Sequence, residues 1–177
     1  TFSLPISCVR LSIMPRRAVG DLHSAALDVL CEVVKDNLQT TIYDAELAGV
    51  NVSLQPGLDN DLCLVVDGFD DKVVDVACAV LGAVKELVGG GQGGDGEEGW
   101  VRAKERVLKS YKNAFNFVGS LRAEARLLTL LPHKASVPGK SSALEGCGSM
   151  REFVEKAREA IGESEVRGTY HGNFGAG

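Results

Sequence analysis

The amino-acid sequence predicts an α+β domain, with a mostly antiparallel sheet of about four or more strands and helices packed on one face. Three observations carry this reading. The hydrophobic period changes along Asp21–Lys72. Leu22, Ala25, Ala26, Val29, Leu30, Val33, Val34 and Leu38 follow helical spacing, whereas Val50, Val52 and Leu54 alternate with Asn51, Ser53 and Gln55. The second observation is the short connection through Pro56-Gly57 and a polar turn to the next apolar run, which makes the two strands a hairpin. The third is the element order, β-α-β-β-α-α-α-α-β, in which the strands cannot all be neighbours in sequence.

Taken in order, residues 3–14 form the first strand. Leu4, Ile6 and Cys8 share one face and Val9, Leu11 and Ile13 the other, so the strand is buried on both sides or bulged near Cys8. Pro5 removes a ladder donor and places the start of the strand at a sheet edge, and Pro15 ends it. Asp21 is the expected N-cap of the long helix, and Val29 is expected to face the sheet. This helix breaks near Thr40-Thr41 or continues to Ala48, where Gly49 supplies a C′ stop. Strand two covers Val50–Gln55, and strand three covers Leu62–Gly68. The run LCLVV is apolar on both faces, which makes strand three the more central of the pair.

Asp70 and Asp71 open the next helix, where carboxylates suit the helix dipole. Its stripe is Val73, Val74, Ala77, Val80, Leu81, Val84, Leu87 and Val88. Residues 89–99, GGGQGGDGEEG, read as a flexible insertion. A third helix from Trp100 carries Ala103, Val107, Tyr111, Ala114, Phe115 and Val118, and a fourth spans about Ser120–Leu131. Residues 132–148 read as a polar loop rich in breakers. Ser149 with Glu152 signals a capping box for a last helix bearing Phe153, Val154, Ala157, Ala160 and Ile161. Residues 165–173 close the domain as a strand.

Composition sets bounds on function. The 177 residues are 45% hydrophobic and 24% charged with a net charge of −5, which is ordinary globular usage without the basic footprint of a nucleic-acid binder. No apolar run reaches the ~18 residues that a helical membrane span needs. Cys8, Cys31, Cys63, Cys78 and Cys147 are odd in number and mostly lie in apolar elements. They read as buried thiols of a reduced, intracellular and cytoplasmic protein. The chain starts at Thr1 inside a strand pattern, as expected of a piece of a longer protein.

Candidate chemistry is sparse. Gly139-Lys140-Ser141 ends like a phosphate loop, but Lys134 stands where the first glycine belongs. The glycines of 89–96 follow a helix and lack dinucleotide-loop spacing. His23, His133 and His171 have no histidine partner at metal-binding helical spacing. Asp70-Asp71 is explained by the helix start and Glu97-Glu98 by solvation. Tyr43 is expected to pack and Asp44 to face water. From the residues alone, the expectation is no catalytic, cofactor-binding or metal site within the chain.

The runs EVVKDNLQTTIYDAELAGVNVSLQ (32–55), LVVDGFDDK (64–72), KERVLKSYKNAFN (104–116) and GTYHGN (168–173) add to this reading. With FSLPISCVRLSIMPRRAVGD at the front, they resemble the M16 zinc metallopeptidases of the insulin-degrading enzyme (insulysin, insulinase) and nardilysin type. The resemblance implies an M16-type fold and a parent hydrolase with zinc held by an HxxEH helix and a downstream glutamate in its first domain. It places this chain as a single third, non-catalytic domain, truncated at the C-terminus, with a Gly-rich insertion at 89–99 and a loop at 132–148. The equivalent helix here, HSAALDVLCEVV, lacks the motif, so the resemblance carries no zinc ligand onto this chain. The implied partners are the other domains of the protease, peptide substrates and, through uncovered apolar surface, a second copy of the chain. Neither nucleic acid nor membrane is implied. The competing reading is a stand-alone binding or scaffold module with an M16-like fold and no protease activity.

Overall fold

The computed structural model describes residues 5–16, 20–57, 60–89, 96–114, 119, 123, 126–127, 130 and 135–172. Four strands, β1 (Ile6–Pro15), β2 (Val50–Pro56), β3 (Leu62–Phe69) and β4 (Ser164–Gly172), form one sheet in the order β2-β3-β1-β4. Every pairing is antiparallel. Six helices are described: α1 (Asp21–Asn37), α2 (Gln39–Leu47), α3 (Asp70–Gly89), α4 (Gly96–Asn113), α5 (Val137–Gly146) and α6 (Met150–Gly162). The α+β class and the antiparallel sheet are as expected.

Register explains the two faces of the sheet. Leu54 pairs with Leu64 and Leu64 with Leu11, while Val66 lies between Val52 and Val9. These residues share the helix-covered face with the buried Val50, Leu62 and Ile13. The opposite face is mixed, with Arg10, Asn51, Ser53, Gln55, Asp67, Glu165, Arg167 and Thr169 beside Ile6, Cys63, Val65 and Phe69. On that face Asn51 donates to Asp67 at 3.1 Å and Arg167 meets Glu165 at 2.9 Å.

Several expectations for β1 and α1 change. β1 is internal, paired without interruption on both sides, so the bulge near Cys8 is absent. Pro5 sits just before the strand and takes nothing from the ladder. Ile6 is half exposed, so this strand is not buried on both faces. Gly20, not Asp21, is the N-cap of α1. Asp21 is the first helical residue and its carboxylate lies against Gly139 of α5. The helix breaks at Leu38, before Thr40-Thr41, because the backbone leaves helical geometry there and restarts at Gln39.

α1 is buried on two sides. It packs on β2 and α3 and also carries α4, α5 and α6. Val29 is fully buried, but it lines a cavity with Trp100 and Phe153 and so faces the outer helices rather than the sheet. Ser24 ties α1 to the hairpin turn, its hydroxyl donating to Asn60 Oδ1 at 3.0 Å, and Asn60 takes a left-handed φ of 56°.

The loop expected at 132–148 contains α5. Ser136 caps it by accepting from the Gly139 amide at 3.1 Å, and Pro138 occupies its first turn. The insertion is shorter than 89–99, because Gly89 ends α3 and Gly96 begins α4, with Glu97 and Glu98 in the first turn. The expected helix over 120–131 lies largely outside the described residues, as do Phe115, Val118 and His133. Ser149 caps α6 by accepting from the Glu152 amide at 3.3 Å, but the Glu152 carboxylate receives the Cys147 thiol instead of closing the box.

Gly49 stops α2 with φ +79°, and Gly68 in β3 has φ +153°. A Cβ at Gly68 would lie 2.7 Å from Val50 Cα, because β2 and β3 approach there backbone to backbone. Gly68→Ala is therefore expected to lose about 2 kcal/mol or more of stability in urea unfolding, through strain that rigid strand backbone cannot relieve. An unchanged midpoint would refute the close approach.

Candidate functional site

The densest polar cluster joins three helices around Asp28 on α1. Lys140 of α5 meets Asp28 Oδ2 at 2.6 Å, and the Tyr111 hydroxyl of α4 donates to the same oxygen. The Lys140 ammonium lies 5.1 Å from the Tyr111 ring centroid. The Asp28 and Lys140 side chains are only 13% and 14% exposed. Burial, and then the Asp28 carboxylate, push the Tyr111 phenol well above its ordinary range, so it stays a neutral donor. All three groups are satisfied by one another, and the cluster fastens α4 and α5 to α1. This contact also disposes of the phosphate-loop reading, since Lys140 is committed to Asp28 and the Gly139 amide to Ser136.

The remaining candidates disperse. His23 Nε2 sits 3.0 Å from Glu159 on α6, and Lys156 holds the same oxygen at 2.8 Å. Lys156 first and His23 second hold the Glu159 carboxyl below its ordinary range. His171 lies on the polar face of β4, opposite Cys8. Among the described residues, no three His, Cys, Asp or Glu side chains converge to hold a metal ion. The residues of α1 therefore do not fit zinc: His23 bonds Glu159, and Glu32 faces Lys35 and Arg106. Tyr43, expected to pack, is 59% exposed.

Tyr43 borders a groove of about 740 Å³ between the end of α1, α2 and edge strand β2. Lys35, Asp36, Gln39, Glu46 and Gln55 also line it. Its charges are largely engaged, with Lys35 paired to Glu32 at 3.0 Å and Asp36 to Arg106 of α4. The Asp36 hydrogen bond raises the Arg106 pKa, so this pair is fixed in its charged form. The hydroxyls of Thr40, Tyr43 and Ser53 also line the groove.

All five cysteines are free thiols. Burial pushes Cys31 up to about 12, so it packs as an inert apolar group. Cys147 is also raised, by burial and then by the Glu152 carboxylate that accepts its hydrogen at 3.2 Å. The Asp28–Tyr111–Lys140 cluster escapes sequence reasoning because its members lie 83 and 112 residues from Asp28 and share no local spacing. No local signal marks Asp28, which lies off the apolar stripe between Ser24 and Glu32 at helical spacing.

This cluster generates a stability test by urea unfolding. Lys140→Met or Asp28→Ala alone leaves a mostly buried charge without its partner and is expected to cost ~3 kcal/mol or more. The combination Asp28→Leu, Tyr111→Phe, Lys140→Met removes all three polar groups and is expected to recover most of that loss. A triple variant as unstable as the summed single variants would overturn the account.

With this geometry in place, comparison with known proteins becomes informative. Residues 1–139 match the family described as the middle or third domain of peptidase M16. A comparison with curated proteins finds no match. Among solved structures, pitrilysin superposes with a TM-score of 0.77 at 16% identity, over 96% of this chain and 17% of that one. The periplasmic protease PqqL from Escherichia coli gives 0.64 at 11% identity, over 96% and 19%. A conserved protein from Enterococcus faecalis V583 gives 0.63 at 13% identity, over 96% and 40%. These identities speak to fold, and the chain spans well under half the length of each. The match over 1–139 places the chain in the peptidase M16 family, as a middle or third domain.

Proposed function

We propose that the chain serves as a non-catalytic domain of a zinc metalloendopeptidase of insulinase type. In this role it forms part of the wall of a substrate chamber and docks against the enzyme's other domains. The observation that carries this reading is the helix-side face of β4. Val166 pairs with buried Ile13 and Tyr170 with Val9, yet they are 60% and 40% exposed. Ile13 also lines an adjoining apolar groove of about 400 Å³ with Leu81, Val84, Val88 and Ile161. Contiguous apolar surface of this kind suits a neighbouring domain. In this reading the domain is inert and zinc is held elsewhere in the parent enzyme. Five free thiols favour a reducing, cytoplasmic setting, and no helix of the described residues is long and apolar enough to cross a membrane.

Two measurements test the reading. The purified 177-residue chain is expected to bind no stoichiometric zinc and to cleave no fluorogenic peptide, and chelator-sensitive cleavage by the pure chain would sink it. Lacking its neighbours, the chain is also expected to self-associate through β4 as concentration rises in sedimentation equilibrium, and Val166→Lys should abolish this. A monomer at every concentration would remove the docking role from this face.

A further inference from the structure

The sequence contains one tryptophan, Trp100 on α4. It is 4% exposed, and its indole Nε1–H has no hydrogen-bond acceptor among the described residues. The ring lines a cavity of about 120 Å³ together with Val29, Glu97, Lys104, Ser149 and Phe153. A buried donor facing no acceptor favours any ligand that brings one.

The surroundings select the charge of that ligand. The Lys104 ammonium donates to the Cys147 carbonyl at 2.7 Å and lies 5.4 Å from the Phe153 ring centroid, with further hydrogens left to give. Ser149 begins the 13-residue α6, so the positive end of that helix opens on the cavity. Val29 and Phe153 supply an apolar wall. Glu97, exposed at the mouth, and Glu152, in the first turn of α6, are the opposing charges. The volume admits a group of a few heavy atoms.

We propose that this cavity binds a carboxylate, its oxygens received by the Trp100 indole N–H, the Lys104 ammonium and the N-terminus of α6. The proposal is independent of the domain's role in a protease, since it rests on the cavity alone. A free small acid, an acidic side chain and a peptide chain end present the same chemistry.

Fluorescence of the single tryptophan reads the site directly. The probes are sodium acetate, a blocked peptide amide with one glutamate side chain, and a free-acid peptide without acidic side chains, all at constant ionic strength. Acetate is expected to give a saturable change in emission with half-saturation on the order of millimolar. Tighter binding of the glutamate amide assigns a side chain, and tighter binding of the free-acid peptide assigns a chain end. Lys104→Met should weaken binding roughly tenfold, whereas Glu97→Gln should strengthen it several-fold. These opposite signs separate charge recognition from damage to the fold, and Glu97 is exposed enough to replace safely. A flat titration with all three probes, an equal response to sulfate, or no gain from Glu97→Gln would overturn the proposal.

Discussion

The structure depends on the burial of α1 from two sides. A helix lying on a sheet needs only one apolar stripe, and the stripe from Ala26 to Val34 supplies it. α1 goes further, with Ala25, Val29 and Cys31 also buried and α4, α5 and α6 stacked against it. Burying a second side requires that each polar group on that side find a partner. Asp28 finds Lys140 and Tyr111, Asp36 finds Arg106, and Ser24 finds Asn60. These contacts tie α1 to α4 twice, through Tyr111 and Arg106, to α5 through Lys140 and to the β2–β3 turn through Asn60.

The same constraint commits polar groups of α1 to other elements. Ser24–Leu27 and Val29–Cys31 are buried beneath sheet and helices. The single histidine of α1 is engaged by Glu159, and Asp28, Glu32 and Asp36 are engaged by cations. The fold is shared with peptidases of known structure.

How much of this was legible in the sequence follows from the range of each interaction. α1, β2 and β3 could be read because their periods repeat within a few residues, and Gly49 marks the end of α2 at the place its φ demands. α5 hides in the sequence because glycine, proline and serine over 132–148 look like breakers. Ser136 as a cap and Pro138 in the first turn are helix-start signals that composition obscures. Glu97 and Glu98 look like a solvated loop for the same reason, although acids in a first turn are favourable. The layer that Val29 faces is not legible, because periodicity reports a buried stripe and not what covers it. The partners of Asp28 were out of reach because nothing local connects residues 28, 111 and 140.

Surfaces left open by this arrangement lie at the two edge strands of the described sheet. At β2 the groove mixes apolar side chains with charges that are mostly paired, and the strand alternates Asn51, Ser53 and Gln55 toward solvent. An edge of that kind resists indiscriminate pairing. β4 differs, because its helix-side residues Val166 and Tyr170 are those a covering helix would bury, and its register with β1 already aligns them with Ile13 and Val9. Glycines at 168 and 172 lie between and beyond these side chains and sit close over Leu11 and Ser7. The strand is thus tightly docked along β1 yet uncovered above, which gives it the geometry of an internal strand at a position where the described helical layer stops.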